Sequence, residues 1–200
     1  MLRVALTGGL ACGKSVCGRL FAGHGAAVID ADELAHDLFA PGQAVREAVI
    51  AAFGPGILAG DGAVDRRVLG KLVFDDPAAR RRLNELTHPA VLKELKSWAD
   101  GCESRGQRVA MAQIPLLYEA AQAPFWQRVV CVAAPEAVVI ERLRERGLEE
   151  TEARRRLAAQ WPVLDKMERA DYAIYNAGAM DLLKEQVERV WRCLRSEEHE

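Results

Sequence analysis

Two stretches of this chain carry side chains whose types and spacing suit phosphate chemistry. Gly8 to Ser15 reads Gly-Gly-Leu-Ala-Cys-Gly-Lys-Ser, which fits G-x-x-x-x-G-K-[ST] at every fixed position. In such a loop the glycines let the backbone curl until successive N–H groups converge on an anion, and a helix N-terminus adds positive partial charge. Lys14 then reaches the terminal phosphates of a nucleotide, and the Ser15 hydroxyl is the candidate ligand for Mg²⁺. The second stretch is Asp30-Ala31-Asp32. Carboxylates close to a phosphate site repel the ligand unless they serve a metal or a substrate hydroxyl. The plainer reading is an N-cap for a helix starting near Glu33, and it suits Asp30 better than Asp32.

Those residues need elements that hold them on one rim. The apolar run Val4-Ala5-Leu6 precedes the loop, and Val16, Cys17, Leu20 and Phe21 recur at helical spacing after it. A second short apolar run, Ala26 to Ile29, ends at the aspartates. Strand, crossover helix and strand make a right-handed parallel unit, and ligands of such sheets lie beyond the carboxyl ends of the strands. Three further strands are expected at Val109 to Ile114, Val129 to Val132 and Ala173 to Tyr175. The third is apolar throughout, as a strand covered on both faces should be, yet it ends in Gln113, where many phosphate-loop enzymes carry an acid.

Between the second and third strands the texture turns helical. Helices are expected near 44–53, 66–74, 78–87 and 90–100, so residues 34–104 form an insertion that projects from the sheet. His88-Pro89 falls at the junction of the last two, where a histidine is more often a structural hydrogen-bonder than a catalyst. Arg66, Arg67, Lys71 and Arg80 to Arg82 give this stretch positive charge, most of it a solvated helix face. After the fourth strand, Pro135-Glu136 opens a helix carrying Arg142 and Arg146; beyond Gly147 a second charged helix carries Arg154, Arg155 and Arg156. Such a hairpin reads as a lid, about residues 141–169, that closes guanidinium groups on a phosphoryl group. A surface laced with Glu–Arg pairs is the rival, favoured for Arg154 to Arg156 but not for Arg142. The last helix presents Leu183, Val187, Val190, Trp191 and Leu194 as one packing stripe, and Ser196 to Glu200 read as a frayed acidic tail.

Composition narrows the class. Half the residues are hydrophobic, 28% are charged and the net charge is −2, a balance that gives no global pull toward nucleic acid or membrane. No apolar run approaches the ~20 residues that span a bilayer, and the N-terminus enters a strand without a signal peptide's segments. Five cysteines without paired metal spacing read as reduced thiols of a cytoplasmic protein. Cys12, inside the loop beside a helix N-terminus, is a candidate for a lowered thiol pKa and for oxidation that blocks nucleotide binding; an inert loop residue is the plainer reading.

With these pieces placed, the sequence resembles the dephospho-coenzyme A kinase family along nearly its full length. The resemblance rests on Leu6-Thr7-Gly8-Gly9, Gly13-Lys14-Ser15, Val28 to Asp32, Pro41-Gly42, Phe53-Gly54, Asp65-Arg66 with Leu69, and His88-Pro89. It continues through Pro115-Leu116-Leu117 with Glu119, Glu141-Arg142-Leu143, Gln160, and Ala170-Asp171-Tyr172 with Asn176 and Gly178. The phosphate loop alone is shared very widely; its combination with the other motifs is far more specific. The resemblance implies one α/β domain of the three-layer P-loop NTPase fold, like the nucleoside-monophosphate kinases. Its five-stranded parallel sheet (core 1–33, 105–140 and 170–200) would carry the helical substrate-binding insertion and the lid.

It further implies transfer of the ATP γ-phosphoryl group to the ribose 3′-hydroxyl of dephospho-CoA, with ATP and Mg²⁺ as cofactors. The catalytic set is then Asp32 as base with Lys14 and Arg142. The nucleotide set is Gly8, Gly9, Leu10, Ala11, Cys12, Gly13, Lys14, Ser15, Val16 and Asn176, and substrate contacts fall at Thr7, Asp32, Arg66, His88 and Leu116. The implied partner is this small molecule alone, without nucleic acid or membrane, on a monomer or weak homo-oligomer. Cys12 and Val16 depart from the family's usual serine or alanine and threonine, and Tyr175 from its usual aspartate. Another small-molecule kinase, acting on a nucleoside, a nucleotide or a shikimate-like alcohol, would share the loop and the early aspartate. A GTP switch would need a guanine-reading Asn-Lys-x-Asp, which the chain lacks.

Overall fold

The computed structural model describes residues 1–197. The chain forms two compact units, one made of Met1–Asp30 together with the chain from Ala99 onward, the other of Ala31–Trp98.

The first unit is built on five parallel strands in the order β2-β3-β1-β4-β5, with β1 at Leu2–Gly8, β2 at Ala27–Asp30, β3 at Val109–Gln113, β4 at Arg128–Ala133 and β5 at Tyr172–Tyr175. The central strand β1 pairs with β3 on one side and β4 on the other, and Val4, Ala5 and Leu6 are wholly buried. A strand enclosed on both edges and both faces can be apolar at every position, which explains why it shows no alternation. Neighbouring β1 and β3 lead into connections that run toward opposite edges of the sheet, and such a switch point opens a crevice at the carboxyl ends. Gly8, Asp30 and Gln113 all lie at that edge. Helix α1 (Lys14–Gly23) packs against α9 (Met180–Ser196), whose stripe from Leu183 to Leu194 joins the main core, as its spacing predicts.

The second unit consists of α2 (Ala31–Asp37), α3 (Ala44–Phe53), α4 (Arg66–Asp75) and most of α5 (Pro77–Ser104). Its own small core centres on Val49, Ile57 and Leu69, and Leu58 and Val64 form an antiparallel bridge. Asp65 caps α4 by accepting from the N–H groups of Arg67 at 2.8 Å and Val68 at 3.2 Å.

Helix α5 corrects one expectation. His88-Pro89 is no junction, since a single helix of 28 residues runs through Pro89. The proline removes one backbone donor from the ladder, while the buried row Val91, Leu95, Ala99 and Cys102 keeps helical spacing beyond it. Just before the proline, the Thr87 hydroxyl donates to Leu83 O at 2.9 Å.

Ser196 and Glu197, the first two residues of the expected frayed tail, are held in place. Ser196 ends α9, and the Glu197 carboxylate accepts from the Tyr172 hydroxyl and pairs with Arg128 Nε at 2.6 Å; residues 198–200 lie outside those described.

Candidate active site

The phosphate loop follows from glycine geometry at two points. Gly8 has φ +145°, and a Cβ there would stand 2.0 Å from Val132 O on the adjoining strand. Gly13 has φ +101°, and a Cβ there would stand 2.3 Å from Asn176 Nδ2. Neither place admits a side chain, so the backbone runs hard against β4 and the β5 exit. Ala11 takes a left-handed φ of 53°, a strained choice for a residue with a Cβ. Two neighbours hold this turn by its carbonyls: Arg142 Nη1 donates to Ala11 O at 3.3 Å, and Asn176 Nδ2 donates to Cys12 O at 2.9 Å. Lys14 Nζ lies back over the loop, donating to Gly9 O at 2.8 Å and Gly8 O at 3.2 Å. Its ammonium therefore stands at the mouth of the turn, where converging amides and the α1 N-terminus favour anionic oxygens.

The hairpin expected over 141–169 consists of the end of α6 (Glu136–Glu145), then α7 (Glu150–Ala158) and α8 (Val163–Glu168). From this hairpin Arg142 reaches the loop, through its bond to Ala11 O. Arg154 pairs with Glu136 and Glu150 and Arg156 with Glu152, both more than 45% exposed, so these are solvated ion pairs of small individual worth. A cleft of about 460 Å³ lies between the loop and the hairpin, lined by Gly9 and Leu10 on one side and by Leu157, Gln160 and Val163 on the other.

Three sequence-derived candidates prove to belong to the frame or the rim. Thr7 is wholly buried, and its hydroxyl donates to Pro115 O at 3.4 Å. Leu116, on the turn after β3, is exposed. Val16, at the first turn of α1, packs beside the core and donates its N–H to Gly13 O. Asp32, Arg66 and His88 belong to the other unit. Asp32 is exposed in the first turn of α2, directly after the end of β2. Arg66 opens α4 with its guanidinium 5.7 Å from the centre of the Phe39 ring. His88 is half-buried inside α5, and that burial holds its pKa below the ordinary value.

Cys12 runs against the idea of a reactive thiol. It is buried, and desolvation pushes its pKa up despite the opposing pull of Lys14 and Arg142. Its sulfur is turned inward, 2.7 Å from where a Gly9 Cβ would be, so it fills the underside of the loop.

Metal chemistry has a modest footprint. Among the described residues no group of three or more His, Cys, Asp and Glu is gathered tightly enough to cage an ion. Mg²⁺ is ordinarily held by one or two protein oxygens with substrate phosphates and water, and the exposed Ser15 hydroxyl at the first turn of α1 fits that donor set. The Gln113 side chain lies against Gly18, one turn along α1 from Ser15, and its Oε1 is buried without a partner among the described residues.

The sequence reading missed Lys166. This lysine on α8 is wholly buried and pairs with Glu119 at 2.7 Å. Removing one member of such a pair strands the other charge, at a cost of about 3–5 kcal/mol. Its signal is faint: a lysine one turn from Val163, on the face of α8 that packs against β1 and β4.

Known proteins with the same pattern are numerous. The family model described as dephospho-CoA kinase matches residues 2–181. A dephospho-CoA kinase of Anaeromyxobacter dehalogenans is 43% identical over 193 residues, covering 96% of this chain and 92% of its own. Another, from Geobacillus kaustophilus, is 38% identical over 187 residues, which is 93% of each chain. A crystal structure of a Thermus thermophilus protein superposes with a TM-score of 0.82 at 30% identity, over 98% of this chain and 97% of the other.

Proposed function

We infer the activity from a premise that the comparisons supply: the chain belongs to the dephospho-CoA kinase family. It is an ATP-dependent kinase that phosphorylates dephospho-CoA, the last step of coenzyme A synthesis. The observation that carries the reading is the bond from Arg142, on the hairpin, to Ala11 O of the loop, because it sets a second permanent cation beside Lys14 at the phosphate cradle.

The loop amides and the α1 N-terminus bind the β- and γ-phosphates, and Lys14 swings from the Gly8 and Gly9 carbonyls onto their oxygens. Ser15 would hold Mg²⁺, which supplies neutralisation of the phosphate charge. Asp32 orients the ribose 3′-hydroxyl in line with the γ-phosphorus. The hydroxyl oxygen forms the new O–P bond while the bond to the β–γ bridging oxygen breaks, ADP leaves, and the hydroxyl proton passes late to the Asp32 carboxylate. The hydroxyl is far less acidic than a carboxylic acid, so full deprotonation beforehand is not required. Lys14 and Arg142 spread the charge of a loose transition state, which is where most of the rate comes from in such reactions.

Arg66, His88 and Leu116 are assigned to the acceptor, and Thr7 to the frame that holds the turn after β3 against the loop. We place the enzyme in the cytoplasm, where its five free cysteines stay reduced. No helix among the described residues is long and apolar enough to cross a membrane.

A coupled assay for ADP release with dephospho-CoA, shikimate and nucleosides as acceptors tests the reading. Turnover with dephospho-CoA that exceeds the others is expected; preference for shikimate or a nucleoside would replace this reading with that of a different small-molecule kinase.

A further inference from the structure

Helix α8 carries a lysine that the phosphoryl-transfer account leaves idle. Lys166 Nζ lies 2.7 Å from Glu119 Oε1 and donates to Pro115 O at 3.1 Å. The same Glu119 oxygen accepts from the Trp161 backbone N–H at 3.0 Å. One carboxylate on the turn after β3 thus grips both ends of residues 161–166, the arm by which the hairpin returns to the sheet. Arg169 stands over the Trp161 ring at 5.1 Å and Tyr118 stacks on it at 6.1 Å, so the arm is held by its side chains as well.

The grip continues to the loop. Pro115 O, which accepts from Lys166, also accepts from the Thr7 hydroxyl at 3.4 Å, and Thr7 immediately precedes Gly8. From above, a Val163 methyl lies 3.4 Å from where a Gly9 Cβ would be. A wholly buried ammonium is a poor way to gain stability, since apolar residues of similar size often serve as well or better. Its charged hydrogen bonds are directional, however, and they fix geometry that apolar packing leaves looser.

We propose that Lys166, clamped by Glu119 and Pro115, is a positioning residue that anchors the returning arm of the hairpin to the base of the phosphate loop. With 161–166 held, closure on bound nucleotide is confined to the stretch from Arg146 to Gln160, which swings as a lid between two fixed ends. This rests on the kinase reading, in which the hairpin closes over ATP. Lys166 touches no reacting atom; its effect is on where the lid stops.

Hydrogen exchange of the amides of 146–160, with and without a non-hydrolysable ATP analogue plus Mg²⁺, reads the closure directly in wild type, Lys166→Met and Glu119→Gln. The glutamine keeps the size and an acceptor for the Trp161 N–H but removes the charge that fixes Lys166. The double variant Lys166→Met/Glu119→Gln, which strands no buried charge, carries the same readout should either single variant fail to fold. Expected is nucleotide-dependent protection in wild type that shrinks at least about tenfold in both folded variants. It is accompanied by a fall of about tenfold in kcat for dephospho-CoA while KM for ATP moves less than about threefold. Undiminished protection in Glu119→Gln overturns the proposal, as does the absence of nucleotide-dependent protection in wild type. The exchange readout needs only the ATP analogue, so absent turnover of dephospho-CoA by wild type would count against the kinase reading and leave the clamp to be decided by protection alone.

Discussion

The loop at Gly8–Ser15 and the helical unit of residues 31–98 carry their candidate residues in opposite ways. In the loop the ligand-facing chemistry belongs to the backbone, and the side chains around it serve mainly to hold carbonyls in place. Gly8 and Gly13 have no room for a Cβ, while Arg142 and Asn176 hold Ala11 O and Cys12 O. In the helical unit the candidates Asp32 and Arg66 are exposed side chains at helix starts, on a scaffold whose small core centres on Val49, Ile57 and Leu69. The first region tolerates little change because its geometry is covalent and steric; the second has freedom to change because its chemistry sits at the ends of flexible groups. In the function proposed above, the rigid part would meet a nucleotide common to countless enzymes, and the adaptable part an acceptor peculiar to one family.

Substitutions can break that contrast. Gly8→Ala should have the largest effect, because the new Cβ would meet Val132 O at 2.0 Å and neither backbone can yield. A loss of at least about 3 kcal/mol in denaturant unfolding, and of ATP-analogue binding by calorimetry, is expected. Arg66→Ala should stay within about 0.5 kcal/mol of wild type in the same unfolding experiment. Equal losses at the two positions would erase the distinction. Asp32→Asn comes next: kcat should fall at least about 10²-fold while KM for ATP is nearly unchanged. Near-normal turnover would remove Asp32 from the mechanism.

Asn176→Ala sharpens the claim about the loop. Loss of its bond to Cys12 O should cost about 1–2 kcal/mol and weaken ATP-analogue binding, with kcat at saturation little changed. A lower kcat at unchanged affinity would mean that Asn176 acts on the reaction and not on the loop. His88 gives the smallest effect. Its folded pKa lies below its ordinary value of 6.5, so the unfolded chain binds more protons as pH falls through that value. Stability contributed by the neutral imidazole is complete above about pH 6.5 and is lost as pH falls toward the lower folded pKa. Melting of wild type relative to His88→Asn between pH 7.5 and 5 should show this deficit only on the acid side.

The loop was legible because its chemistry is local. Glycine spacing, the lysine and the serine act within eight consecutive residues, and the apolar strand before them and helical spacing after them fixed their context. The five strands were legible for a similar reason, being short apolar runs bounded by turns. Helix α5 was misread because His-Pro marks a break only when propensity decides; here the buried row Val91, Leu95, Ala99 and Cys102 beyond Pro89 outweighs one missing donor. Lys166 was invisible because its partners, Glu119 and Pro115, are about fifty residues away and only folding brings them together. For Cys12 the plainer reading of an inert loop residue agrees with the structure, because desolvation outweighs the helix field and the nearby cations once the sulfur turns inward. The strand order, with β3 between β1 and β2, had no local signal at all.

The central claim is that the phosphate cradle of this chain delivers a γ-phosphoryl group to one alcohol of one nucleotide-like acceptor. Mass spectrometry and ³¹P NMR of the product formed from ATP, Mg²⁺ and dephospho-CoA test it most directly. The account predicts a single added phosphoryl group on the ribose 3′-oxygen, formed in step with ADP. Unmodified dephospho-CoA, or a phosphoryl group at any other oxygen, would contradict it.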